Sequence, residues 1–236
     1  SLQYGPQFGG LLNFVLRQPS KDEPFQIRQR LTGGSYGFLN SFTEISGTKQ
    51  PINYYSFYQY KRSNGQRPNS GYEQHTGHAA IGYQPTEDLS LRMEYTGMYY
   101  LAQQPGGLTD AQFERDPYQS LRERNWLRVN WHIMALLADY QLSPRTRLNA
   151  RVFGLLAGRD ALGYRGRVDR ADPGGPRDLL KDDYQNLGAE LRILQRYNVI
   201  GDLPWVLTAG VRYYQGHTDR VQGFGAAGDG PHFANR

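Results

Sequence analysis

The residues in this chain that could do chemistry are charged, and they do not assemble into a catalytic pattern. Between 159 and 183, six cations (Arg159, Arg165, Arg167, Arg170, Arg177 and Lys181) interleave with six carboxylates (Asp160, Asp169, Asp172, Asp178, Asp182 and Asp183). Closely spaced carboxylates can hold calcium, which takes several oxygen ligands. The stretch from Asp169 to Asp183 has neither EF-hand spacing nor a repeat. Equal numbers of both signs read instead as loop charges in weak exposed pairs. The five histidines, His75, His78, His132, His217 and His232, are scattered without metal-ligand spacing. Cysteine is absent, which excludes a disulfide framework and a thiol nucleophile. There is no phosphate-cradling glycine loop, no G-x-S-x-G and no H-E-x-x-H. The net charge of +5 is dispersed among carboxylates along the chain. A nucleic-acid binder would gather it into a stripe. Neither an enzyme nor a nucleic-acid partner is indicated.

The elements that must position these residues read as strands. Only 38% of the chain is hydrophobic, thin for a water-soluble core of 236 residues, while 18 Tyr, 10 Phe and 28 Gly suit strands with aromatic ends and tight turns. Mean hydropathy is −0.71. No apolar run of ~18 residues is present, so no helical membrane span is expected. A membrane β-barrel escapes that test, because only alternate residues face lipid. Such alternation is clear at 186–195, where Leu187, Ala189, Leu191 and Ile193 share a face. It recurs at 89–99, 148–156 and 205–213. At 126–138 the apolar face is Leu127, Val129, Trp131, Ile133, Ala135 and Leu137, opposite Arg128, Asn130 and His132. Weaker strands are expected at 24–33, 37–46, 51–61 and 77–83. Helical spacing of Leu187, Leu191 and Leu194 competes at 178–196, but Gly188 opposes it at a cost of roughly 1 kcal/mol, and the period of two decides for a strand.

The connections alternate in length. Short ones at 47–50, 84–88, 142–144 and 196–203 separate long ones at 62–76, 102–124 and 159–182; the first hairpin, through 33–36, is the exception. Outer-membrane barrels place short turns on the periplasmic side and long loops outside. Tyr99, Tyr100, Trp126, Tyr140, Trp205, Tyr213 and Tyr214 are expected to form girdles at the lipid boundary. The fold class expected is all-β: an antiparallel transmembrane β-barrel segment of about nine strands.

Two segments carry a family resemblance. Residues 4–19 run Tyr4-Gly5, then Gly9-Gly10, a short apolar strand with a central Asn13, and Arg17 before Pro19. This resembles the end of the plug domain in TonB-dependent outer-membrane receptors, where the chain passes into the first barrel strand. Gln104, Pro105, Gly106, Gly107, Leu108 and Thr109, then Ala111, Gln112 and Phe113, and finally Gln119, Ser120 and Arg122 look like an outer loop of ferric citrate-type members. The resemblance implies a C-terminal plug end at 1–19 and the N-terminal part of the barrel at 20–236. The rest of the plug, with its TonB-engaging segment, would precede Ser1, and further strands would follow Arg236.

What the resemblance implies about function is transport without covalent chemistry. The chain would sit in the bacterial outer membrane, contact its lipid, and take up a ferric chelate, ferric citrate or a siderophore complex, as transported ligand rather than cofactor. TonB would be its partner through the plug. An anionic chelate calls for arginine, whose planar fork donates two hydrogen bonds to a carboxylate. The candidates are Arg115, Arg122 and Arg124 in the 102–124 loop, and Arg159 and Arg165 in the next. Gln103, Gln104 and Gln119 would add neutral contacts. Arg122 ranks first because it lies inside the family-like Gln-Ser-x-Arg segment, and Arg159 second. The alternatives are a passive porin-like or structural barrel, and a soluble all-β ligand-binding domain.

Overall fold

The computed structural model describes residues 17–20, 23–198 and 204–234. Its nine strands are β1 (Gln26–Gly34), β2 (Phe38–Lys49), β3 (Ile52–Ser63), β4 (Tyr72–Tyr83), β5 (Leu89–Gln103), β6 (Trp126–Ser143), β7 (Thr146–Gly163), β8 (Arg177–Asn198) and β9 (Pro204–Gly225). They form one antiparallel sheet in chain order, with β1 and β9 as its edges among the described residues. All nine expected strands are present, and 178–196 is a strand. Most of the plug-end segment, residues 4–16, lies outside the described residues, as does 199–203 between β8 and β9. No helix among the described residues is long and apolar enough to cross a membrane, which says nothing of strands.

The strands run further than the alternation predicted, and the loops shrink to 64–71, 104–125 and 164–176. Arg159, Asp160, Arg177, Asp182 and Asp183, read above as loop charges, therefore belong to β7 and β8. The reason is that their outer portions carry polar residues on both faces, where an apolar–polar pattern fades while the ladder of backbone hydrogen bonds continues. One element was not foreseen. Helix α1 (Asp110–Arg115) is opened by a capping box, in which the Thr109 side chain accepts from the Gln112 backbone at 3.3 Å and Gln112 Oε1 accepts from the Thr109 N–H at 2.9 Å.

Register divides the sheet into two unlike faces, because residues directly opposite on neighbouring strands share a face. One row runs Ile81, Met93, Leu136, Val152, Ala189, Tyr213. This belt face is apolar at that level and exposed: Leu136 is 56% and Leu191 50% accessible. Towards the long loops it turns polar, with His75, Asn130, Asp183 and Gln185. The other row at the same end of the sheet runs Arg92, Leu137, Arg151, Glu190, Arg212. This charged face receives the incoming chain: Arg17 donates to Glu44 at 2.9 Å and Arg92 donates to Gln18 at 3.0 Å.

The register corrects the reading of 126–138. Met134, Leu136, Ala138 and Tyr140 are on the belt face, and Leu127, Val129, Trp131, Ile133, Ala135 and Leu137 are on the charged face. The strand is apolar on both sides over much of its length, so its own pattern could not choose; pairing with β5 and β7 chose. The aromatic girdle is likewise redrawn. Tyr140 and Trp205 lie on the belt face near the short turns, and Tyr99 lies on it toward the loops. Tyr213 sits mid-belt, while Tyr100 and Tyr214 are on the charged face. Trp126 stands above the belt, donating to the Asp229 carbonyl at 2.7 Å and packing against the buried cluster Leu162, Leu179 and Phe233.

Candidate functional site

Two sets of arginines distinguish the loop end of the molecule. The first set builds a cap from the loops. Arg122, 5% accessible, donates to four carbonyls: Leu121 at 3.0 Å, Arg170 at 2.5 Å, Gly166 at 3.1 Å and Arg167 at 2.7 Å. Its guanidinium also lies 4.7 Å from the Tyr164 ring centroid, within cation–π range. Arg122 thus ties loop 104–125 to loop 164–176. The Pro-Gly-Gly segment makes room for it. Gly106 has φ +74°, and a Cβ there would lie 2.6 Å from Arg122 Cγ, so only glycine fits on both counts. Ser120 continues the device, accepting from the Arg122 N–H at 3.2 Å and donating to the Pro105 carbonyl at 3.2 Å.

Arg124 grips Asp172 with both arms of its fork, Nε at 2.9 Å and Nη2 at 2.6 Å, and donates to Gly175 and Ala227 carbonyls at 3.0 and 2.5 Å. Burial alone would push the Asp172 carboxyl up, but the hydrogen bonds from Arg124 and from the Gly174 N–H hold it below its usual value. Arg177, 1% accessible, donates to the Ala226 carbonyl at 2.9 Å and the Arg124 carbonyl at 3.0 Å, drawing in segment 226–234. Arg67 joins loop 64–71 to the cap through Gln119 and Gly106 carbonyls at 3.0 and 3.2 Å. Asn69, which holds φ +55°, donates to the carbonyls of Gln104, Arg122 and Asn125.

The second set lies beneath the cap, on the charged face. Arg159, Asp182 and Arg220 are directly opposite one another across β7, β8 and β9. Asp182 is fully buried and accepts from Arg159 Nε at 3.0 Å, from Arg159 Nη2, and from Arg220 Nε at 2.5 Å. The arginine side chains are 46% and 56% exposed. One carboxylate faces two guanidiniums, leaving a net positive charge and unspent donors turned outward. The same row continues through Val129 and Tyr100 to Gln74 and Lys61. Trp131, one inward position below Val129, has a buried indole N–H without a hydrogen-bond partner.

The expected residues therefore separate. Arg122 and Arg124 are spent within the cap. Gln119 is too: its amide donates to the Gln112 and Asp116 carbonyls at 2.7 and 3.0 Å, and it accepts from Arg115 at 3.2 Å. Gln104 sits in the cap through its backbone, pairing with Asn125 at 2.9 Å. Arg165 is exposed on loop 164–176. Arg159 alone of the group lies on the charged face. Arg220 was missed because the alternation was followed only to 213, and the signal that could have found it is the continued period through Arg212, Tyr214, Thr218 and Arg220. Arg67, Asn69 and Arg177 carried no local signal. Among the described residues no group of three or more His, Cys, Asp or Glu could hold a metal.

Comparisons with known proteins support the fold. No family model matches the chain, nor does any curated sequence. Among solved structures, the ferric citrate transporter FecA in its unliganded form matches with a TM-score of 0.80 at 22% identity, over 95% of this chain and 34% of that one. BauA, the ferric preacinetobactin receptor from Acinetobacter baumannii, matches with a TM-score of 0.74 at 11% identity, over 93% and 36%. The copper transporter OprC matches with a TM-score of 0.65 at 14% identity, over 89% and 33%. The chain thus spans about a third of the length of the structures it matches. At these identities the likeness is one of fold.

Proposed function

We propose that the chain is part of the barrel of a TonB-dependent outer-membrane receptor that takes up an anionic metal chelate, most directly a ferric one of the citrate or siderophore kind. The supporting observation is the Arg159–Asp182–Arg220 row. It is a net-cationic, half-exposed group on the face that also receives Arg17 and Gln18, directly beneath a cap of stapled loops. On this reading the belt face meets lipid and the charged face lines the interior. Charge-assisted, fork-shaped hydrogen bonds are what a chelate bearing carboxylate or hydroxamate oxygens would select. The chain works by binding and gating and carries no catalytic step. TonB would be engaged through residues N-terminal to those described.

The test is a titration of the full-length protein in detergent with ferric citrate, a ferric hydroxamate, a ferric catecholate and a copper complex, the last because the fold is shared with a copper transporter. Binding of an anionic chelate is expected, weakened about tenfold by Arg159→Gln or Arg220→Gln, as for loss of one charge-assisted bond. No binding by any member of the panel, or an affinity unchanged from that of the unaltered protein in both variants, refutes the site. Partition of the protein into buffer without detergent refutes the membrane assignment.

A further inference from the structure

The upper arginine row has a copy lower on the same three strands. Arg151, Glu190 and Arg212 are directly opposite one another across β7, β8 and β9. Each lies eight positions along its strand from its counterpart in Arg159, Asp182 and Arg220, about 27 Å at the usual rise. The register is the same, a carboxylate on β8 opposite an arginine on each neighbour, but the pairing differs, since Glu190 is held by Arg212 and by Arg192 of its own strand. Arg212 Nε lies 3.3 Å from Glu190, and Arg192 pairs with the other oxygen of the same carboxylate. At the same level, one strand beyond Leu137, Arg92 pairs with Glu94 at 2.5 Å. Four guanidiniums thus face two carboxylates. The surplus charge coincides with unspent donors: Arg151 Nε and Arg92 Nη2 are buried and make no hydrogen bond among the described residues. Buried donors left unpaired are costly, and an oxyanion is the partner that satisfies charge and donors together.

Between the two rows the charged face carries no charge on β7, β8 or β9: it is apolar at Trp131, Ile133 and Ala135 on β6 and Ala157, Leu155 and Phe153 on β7, and neutral polar or glycine elsewhere. This explains why β6 turns its apolar side to this face. A continuous cationic strip would hold an anion along its whole length. Two cationic rows separated by an uncharged stretch define two separate stations.

We infer that Arg92, Arg151 and Arg212 form a second anion station, some 27 Å below the first on the strand-rise estimate, that takes a small carboxylate- or phosphate-bearing anion. The inference rests on the reading of the charged face as the barrel interior.

The test uses the full-length protein in detergent, titrated calorimetrically with citrate and, separately, with inorganic phosphate. Two classes of site are expected. Arg151→Gln with Arg212→Gln should weaken the second class at least tenfold and leave the first unchanged. Arg151→Lys with Arg212→Lys should restore most of it, and this charge-retaining pair guards against a folding defect in the first variant. In cells, the Gln pair should slow uptake while surface affinity for the transported chelate stays constant. A single class of site in the unaltered protein, or two classes indifferent to the Gln pair, overturns the lower station. Increased protease cleavage near residue 17 in the Gln pair, with anion binding unchanged, would assign these arginines to holding the chain's own N-terminal part and would also overturn it. If instead Arg159→Gln with Arg220→Gln leaves the first class untouched, the upper site fails and the lower one is judged on its own result.

Discussion

The cap and the wall beneath it use the same side chain for opposite ends. In the cap, Arg122 and Arg177 are almost wholly buried and donate to backbone carbonyls up to 53 residues away in sequence, with Arg177 Nη2 alone of their donors buried without a partner. In the wall, Arg159 and Arg220 are about half exposed, share one buried carboxylate and keep donors in reserve. Residue type and even motif membership do not separate these roles. What separates them is how many acceptors the fold has already brought to each guanidinium. A carbonyl-saturated arginine is a fastener, whereas one that shares a carboxylate and faces open space can still take a ligand.

The contrast breaks most sharply at Arg122. Arg122→Ala removes the group that four carbonyls share and should destabilise the cap by about 3 kcal/mol, seen as rapid proteolysis within 104–125 and 164–176. Arg122→Lys should recover little, because a three-donor ammonium cannot span the same acceptors. Full protease resistance in Arg122→Ala would erase the distinction between fastener and binder. Next comes the test of which side of the wall is the interior. Leu136→Arg places a charge in the middle of the belt and should cost about 2–4 kcal/mol in lipid. Ile133→Asn, on the charged face, should cost clearly less, measured by folding titration into bilayers. The reverse order would mean that β6 has the opposite register.

A smaller effect is expected at the wall itself. Arg159→Gln should destabilise the protein clearly less than Arg122→Ala, since Arg220 still pairs with the buried Asp182, yet on the proposed reading weaken chelate binding about tenfold. A stability loss as large as that of Arg122→Ala would make Arg159 another fastener. The smallest is a pH effect on the cap. Asp172 has its folded pKa held below the ordinary carboxylate value, so its contribution is present above that ordinary value and fades as pH falls through the lower, folded one. Cap proteolysis should be flat from pH 7 down to about 5 and rise only below about 4. Asp172→Asn should flatten that acid limb. Loosening that begins near pH 6 would point to a histidine instead.

All nine strands were expected from the sequence, five by clear alternation and four by a weaker signal, because side-chain direction along a strand is a local property of the backbone. The alternating long and short connections were legible too, and they placed all the long loops at one end. Legibility failed wherever a choice depended on a neighbour. From 133 to 138 this strand is apolar on both faces, so the face it shows was set by Met93 opposite Leu136 and Val152 beyond it. The Gln-Ser-x-Arg segment was singled out as a ligand site, but its arginine fastens loops. The acceptors that decide this, the carbonyls of Gly166, Arg167 and Arg170, lie more than 40 residues downstream.

What the sequence determined by itself is the kind of wall: antiparallel strands with an apolar side and a charged side, and arginine-rich loops at one end. Period, composition and turn residues suffice for that, since they act within a few residues. Only the tertiary structure decided which arginines are spent and which are free. It brought Arg220 opposite Asp182 and Arg159, repeated that arrangement at Arg212, Glu190 and Arg151, and carried Arg122 away from the wall into the cap. Those outcomes depend on register between strands and on contacts between distant loops, and neither is written in any single stretch of chain.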